Sequence, residues 1–380
     1  MHHCRTSCIM AGFVPAIRLL LSSPVSPACS GRRGRRDDRG APSPRLKCVP
    51  AIAAFVLSAS PAHAQAPAEF FKGKTIDVYI GTSVGGGYDT YARMLARHMS
   101  KYTPGNPTIV PKNMEGGGGM RLANFIYNAA PKDGSVFGIV NRGIASDQLL
   151  GSRAAQFEAT KFSWIGSTNN EVSVCVAWHT TGVTRYDELL SKEMVVGATG
   201  PSGDTYQFPK VANGVLGTKF KIISGYPGGN DIDLAMERGE VQGRCGWSWT
   251  SVKGTHQPWL DQSRIRILFQ MGLSKHPDLP SIPLIIDLAK ADEERAIFKL
   301  IFSRQVMAWP FVAPPGVPKE RVDVLRRAFM DTMEDKAFLA EAAKANFEIR
   351  PVSGEDVQTL VRDIYDTPVA VVQKTIQLLQ

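Results

Sequence analysis

Four short stretches of this sequence are glycine-rich: 81–87, 198–205 and 226–231 combine glycine with small polar residues, and 116–119 is glycine throughout. Gly-rich loops ahead of helices expose unpaired backbone N–H groups, and the helix dipole adds partial positive charge. The chemistry this suits is capture of an anion by the backbone, and a carboxylate fits without any lysine. Taken singly, each loop reads equally well as a tight turn. Taken together, four are better explained by a ligand. Arg142 and Arg244 fall near the ends of expected strands. Either is suited to clamp a second carboxylate bidentately, or to form a structural ion pair.

Competing chemistries can be weighed on the same residues. Gly81-Thr82-Ser83-Val84-Gly85 fits G-x-S-x-G, the nucleophile elbow of α/β-hydrolases, between a strand and a helix. The elbow needs its helix to begin at once, yet Gly85-Gly86-Gly87 delays it to about Asp89. It also lies on the first strand, with no earlier segment for an oxyanion hole. Gly73-Lys74-Thr75 ends like a P-loop but precedes its strand and lacks the first glycine. The glycines do not form G-x-G-x-x-G, so a dinucleotide site is not expected. Spacing shows no metal-ligand cluster. Cys175 and Cys245 lie 70 residues apart, and spacing alone leaves open whether they pair.

These residues need elements to position them. Ile76–Ile80 reads as a strand, followed by an amphipathic helix from Asp89 to about Ser100, with Tyr91, Met94, Leu95, His98 and Met99 on its apolar stripe. Asp89 suits the helix start, and His98 reads as a core histidine. A strand at 108–110, a helix at 121–130 and a strand at 136–140 complete one unit. Strands at 194–197, from 222 and at 241–246, with helices between, make a second. Asp204 and Asp231 suit helix caps. Trp247 and Trp249 are expected to alternate on one strand end, one facing the cleft and one the core. Strands alternating with helices indicate parallel α/β architecture, which binds ligands beyond the carboxyl ends of its strands. After the break at 314–318 the chain reads as helical, with Ser353 an N-cap for the last helix.

The chain has 380 residues, 43% hydrophobic and 21% charged, a globular balance long enough for two domains. Its net charge of +9 is concentrated at one end. Residues 1–64 carry nine basic and two acidic residues, leaving +2 for the rest. A nearly neutral body argues against a nucleic-acid partner. Arg45-Leu46-Lys47, an apolar run at 48–60 and Ala62-His63-Ala64 form a signal-peptide pattern, with cleavage expected after Ala64. Residues 1–44 read as disordered. From Ala64 onward no apolar run reaches the ~18 residues of a membrane span.

The ordered motifs resemble a family. The strand, Gly85-Gly86, Asp89 and Ala92-Arg93 look like the P-G-G-x-x-D-x-x-A-R opening of Bug-type extracytoplasmic solute receptors of tripartite tricarboxylate transporters. Asn113 through Gly116–Gly119 to Ala130-Pro131-Lys132-Asp133-Gly134 is similar to that family's second motif. Residues 197–205 match its second-domain loop, and Ala313-Pro314-Pro315-Gly316-Val317-Pro318 its A-P-x-G-x-P. The resemblance covers roughly 70–375. It implies a type II periplasmic binding fold, a Venus flytrap of two α/β domains around a cleft. Domain 1 is then 65–172 with 302–380, and domain 2 is 173–301. It implies a monomeric, non-enzymatic receptor without metal or cofactor, passing a small carboxylate to a membrane permease. The same flytrap would equally serve a sensor.

Carried onto this chain, the first-domain loop is Ser83, Val84, Gly85, Gly86, Gly87, Tyr88 and Asp89. The second-domain loop is Thr199 to Thr205, with Ser202, Gly203 and Asp204. Gly228 to Asp231, including Gly229 and Asn230, and Gly246 to Ser248, including Trp247, complete the pocket, with Arg142 beside it. Three residues depart from the pattern. Val84 replaces a usual proline, Tyr88 is bulkier than the common threonine or serine, and Glu115 replaces a proline. Tyr88 is placed to stack on a ligand or narrow the pocket. Glu115 would repel a dianion if it faced the cleft.

Overall fold

The computed structural model describes residues 67–380; the expected leader, signal peptide and cleavage site lie outside them. After a short helix α1 (Pro67–Phe71), two sheets organise the chain. The first holds β1 (Thr75–Ile80), parallel to β2 (Thr108–Asn113) and to β3 (Val136–Ile139). β4 (Ser163–Ser167) belongs to the same sheet. The second holds β5 (Ser173–Trp178), β6 (Met194–Ala198), β7 (Phe220–Ser224), β8 (Gly243–Ser248) and β9 (Ile265–Met271). The chain then returns to the first sheet with β10 (Pro310–Ala313) and β11 (Val352–Ser353). Among the described residues no helix is long and apolar enough to cross a membrane.

The expected parallel pattern holds for β1, β2 and β3 and for β6, β7 and β8. The sheets as wholes are mixed. β5 runs antiparallel to β8 and β9, and β10 runs antiparallel to both β3 and β4. The cause is the path of the chain, which crosses between the sheets at 168–172 and again ahead of β10. At the crossings the two segments bond to each other. Glu171 N–H donates to Gln305 O at 3.0 Å, and Ala308 N–H donates to Asn169 O at 3.1 Å.

Helices α2 (Gly87–Met99), α3 (Met120–Asn128) and α4 (Ile144–Asp147) belong to the first half. α5 (Asp204–Leu216), α6 (Gly229–Glu237) and α7 (Trp249–Asp261) accompany the second sheet. α8 (Asp292–Ser303) precedes the return crossing. α9 (Lys319–Met333), α10 (Lys336–Lys344), α11 (Gly354–Tyr365) and α12 (Val369–Leu379) close the chain. The last helix is therefore two, divided before Pro368, which cannot continue α11. Ser353 caps α11 as expected, accepting from Asp356 N–H at 3.1 Å.

The cores explain the pattern. α2 buries Tyr91, Met94, Leu95 and Met99 with Val78 and Ile80 of β1. His98 departs from its expected core role. Its ring stacks edge-on to Phe338, while Nε2 lies 2.7 Å from Glu341 Oε2. The glycine loops meet backbone to backbone. A Cβ on Gly118, whose φ is +70°, would sit 2.6 Å from Gly203 N, so no side chain fits there. Cys175 and Cys245 form a disulfide joining neighbouring strands β5 and β8.

Candidate functional site

A cavity of about 60 Å³ lies where the strand ends of the two sheets meet. Its walls come from the turns after β1, β3, β6, β7 and β8, the carboxyl ends that parallel α/β topology reserves for ligands. Three helices begin at it. The N-caps of α2, α5 and α6 are Gly86, Gly203 and Gly228, and none is satisfied by a side-chain cap. Residues of each first turn line the cavity: Gly87 and Tyr88, Asp204 and Thr205, Gly229 and Asn230. Their first-turn N–H groups and dipoles give the cavity a positive bias without lysine.

Arg142, just after β3, is 2% exposed and lines this cavity. Its Nε donates to Asp204 Oδ2, and its Nη2 donates to Ser173 Oγ at 2.9 Å and Ser248 Oγ at 3.3 Å. Its Nη1 has no hydrogen-bond partner among the described residues. Asp204 Oδ1 also lies 3.2 Å from Arg304 Nε, without the alignment of a hydrogen bond. One carboxylate thus serves two buried guanidinium groups. Asp147 is near Arg304 and accepts from Gln207 Nε2 at 3.0 Å. Burial pushes its pKa up to about 7, against the pull of a Ser202 hydrogen bond and of Arg304.

At the other end Arg244 Nη1 donates to Asp233 Oδ1 at 2.8 Å and to Gly229 O at 3.1 Å. Its guanidinium carbon lies 4.4 Å from the centre of the Trp247 ring. Its Nε is buried and unpartnered. Burial raises Asp233 to about 6, opposed by Arg244. Burial, reinforced by Arg244, lowers His256 to about 4, so the imidazole is neutral at pH 7. That ring packs edge-on against Trp247 and Trp259 where the helical backbone of α7 breaks, at φ −133°.

The cavity gathers most of the expected residues. Gly85, Gly86, Gly87 and Tyr88 line it from the first loop, and Thr199, Asp204 and Thr205 from the second. Arg142, Gly229, Asn230 and Trp247 line it too. Tyr88 narrows it, packed edge-on against Trp309 with its Oη accepting from Arg142 N–H at 3.2 Å. Burial takes that phenol up to about 12.

Five expected residues do not line it. Val84 is 61% exposed. Asp89 is buried as the organiser of its own loop, accepting from Gly85 N–H, Arg93 Nε and Asn113 Nδ2. Gly203 lies under Gly118, and Ser202 lines a separate hollow beside Asp147 and Gln380. Ser83 joins the two halves, its Oγ 2.7 Å from Asp231 Oδ2 and 3.0 Å from Asn230 Oδ1, while Asn230 Nδ2 donates to Val84 O at 3.0 Å. Among the described residues no histidine hydrogen-bonds Ser83.

Other expectations change as well. Asp204 and Asp231 stand in the first turns of α5 and α6, but neither caps its helix. Asp204 turns to Arg142, and Asp231 to Ser83. Glu115 is exposed and away from the cavity. Trp249 begins α7 instead of ending a strand, and its Nε1 donates to Asp278 at 3.0 Å. Trp309, His256 and Asp233 line the cavity without any local sequence signal to mark them. Elsewhere, His276, Asp278 and Glu348 bring ligand-type atoms within 4.8 Å of one another. The Lys253 ammonium bonds both carboxylates there, at 2.6 and 2.7 Å, and so holds the place a cation would take.

Comparison with known proteins sets this geometry in context. No family model matches the chain. A Cupriavidus necator protein described as "UPF0065 protein in gbd 5'region" is 25% identical over 351 residues, covering 87% of this chain and 95% of its own. The structure is similar to that of the periplasmic binding protein BugD, with a TM-score of 0.64 and 18% identity over 79% of this chain and 96% of that one. A Rhodopseudomonas palustris protein solved with adipate gives 0.63 and 19%, over 80% and 97%. MatC from the same organism, with bound malate, gives 0.62 and 16%, over 81% and 99%. The fold is that of periplasmic binding proteins of the Bug and TctC type, as the sequence motifs suggest.

Proposed function

We propose that this chain is a Bug-type periplasmic solute receptor that captures a small carboxylate and hands it to a tripartite tricarboxylate-type permease. The observation that carries this reading is Arg142 Nη1, a buried and unpartnered guanidinium donor in a cavity where three helices begin. A buried donor left unpaired costs free energy, and a carboxylate is the group that removes the cost most fully. The malate and adipate held by structural neighbours support the ligand class. The two lobes are then 65–172 with 302–380 and 173–301, and they close about the crossings at 168–172 and 304–309. The Ser83–Asp231 bond acts as the latch of the closed form. Export by the signal peptide at 45–64 places the mature chain in the periplasm.

A thermal-shift screen of the chain from Gln65 onward tests the binding step, with carboxylates set against their amides and esters. A ligand at 100 times its Kd adds ~2.7 kcal/mol, a shift of a few degrees. Shifts confined to the acids are expected; shifts with neutral compounds alone refute the proposal. Uptake of labelled ligand by cells with and without the permease genes separates transport from sensing.

A further inference from the structure

The two ends of the cavity differ in charge. At one end two guanidinium groups, Arg142 and Arg304, share the single carboxylate of Asp204, and Arg142 Nη1 is spare. Two further acids act on these guanidinium groups without ion-pair contact, Asp147 on Arg304 and Glu171 on Arg142, and burial raises both to about 7. In direct contact, then, this end holds two guanidinium groups to one carboxylate. At the other end one guanidinium, Arg244, is matched by one carboxylate, Asp233. His256 adds no charge, and Trp247, Asn230, Ser251 and Thr255 line the cavity as uncharged groups. What this end lacks is only an acceptor for the buried Arg244 Nε–H.

Resting on the proposed function, we infer that the site selects a short monocarboxylate, its single charge at Arg142 and an uncharged hydrogen-bond acceptor at Arg244. A second carboxylate at the Arg244 end enters beside Asp233, where repulsion in a water-poor cavity opposes it. The cavity, at about 60 Å³, is small, which favours a short ligand.

Isosteric pairs test this directly. Malonate and malonamate, and succinate and succinamate, have nearly the same shape and differ by one charge. Isothermal titration at pH 7 is expected to show each monoamide binding at least tenfold more tightly than its diacid. Asp233→Asn removes the matching charge and keeps the shape, so the diacids gain and the ratio narrows or inverts. A wild-type protein that binds the diacids equally or more tightly overturns the inference, whatever the variant does. If Asp233→Asn does not fold, the wild-type ratios alone decide. If no acid of any length binds, it is the carboxylate reading that fails, and the charge count falls with it.

Discussion

Replacing Ser83 with alanine removes the bond that ties the loop after β1 to the start of α6. The hydroxyl has one proton, shared between Asp231 Oδ2 at 2.7 Å and Asn230 Oδ1 at 3.0 Å, so one charge-assisted hydrogen bond is at stake. Such bonds contribute about 1.5–3 kcal/mol, and partial exposure puts this one near the lower figure. The two loops belong to different halves of the molecule, so the bond exists only when the halves are together. On the proposed closure, an open ligand-free form keeps its stability, while the closed complex loses about 1.5 kcal/mol. Affinity then falls about tenfold, chiefly through faster dissociation. Titration calorimetry gives the Kd, stopped-flow fluorescence from Trp247 and Trp309 gives the off-rate, and the melting temperature of the apo protein is the control. Asp231→Ala should cost a similar amount, and the double variant little more than either single. An unchanged Kd refutes the latch. Ester hydrolysis by the wild type that vanishes in Ser83→Ala, with affinity retained, would restore the nucleophile-elbow reading instead.

Further expectations follow from the buried charges and the disulfide. Arg142→Gln should abolish carboxylate binding, by a hundredfold or more in Kd, and should also lower the melting temperature because Asp204 loses a partner. Asp147 and Glu171 are both raised to about 7 by burial, so the folded chain keeps protons the unfolded chain gives up. That stability is present in full below the ordinary carboxylate range and is lost as pH rises through 7. The melting temperature should therefore fall from pH 5 to pH 8, and Asp147→Asn with Glu171→Gln should flatten the slope; a rise over that window contradicts the assignment. Thiol labelling of the denatured, unreduced chain from Gln65 onward should find neither Cys175 nor Cys245 free. Reducing their bond, which spans 70 residues, should cost about 4 kcal/mol on a chain-entropy estimate, read as a lower denaturant midpoint.

The sequence made the first unit legible because its signals are local. Each strand, glycine turn and amphipathic helix from β1 to β3 lies within a few dozen residues, and Tyr91, Met94 and Leu95 mark the buried face by their spacing. The loops that line the cavity were legible for the same reason. The strands β5, β9, β10 and β11 were not, because their partners are distant in sequence. Nor was the far wall of the cavity. Trp309 reaches it from the return crossing, and His256 from a break inside α7, neither of which has a local pattern. The role of Arg142 was half legible. Its place at a strand end was visible, but its sharing of Asp204 with Arg304 depends on three segments that meet only in the fold.

The position of β10 has a consequence for the order in which the molecule can be made. It pairs with β3 on one side and β4 on the other, so the middle of the first sheet is filled by a strand synthesised after the whole second sheet. Until residue 313 has emerged, β3 and β4 present open edges to water and the first half cannot close its core. The second sheet, contiguous from β5 to β9, has no such wait. Folding is thus tied to the last quarter of the chain, and a nascent chain lacking it stays incompletely folded however long it lingers.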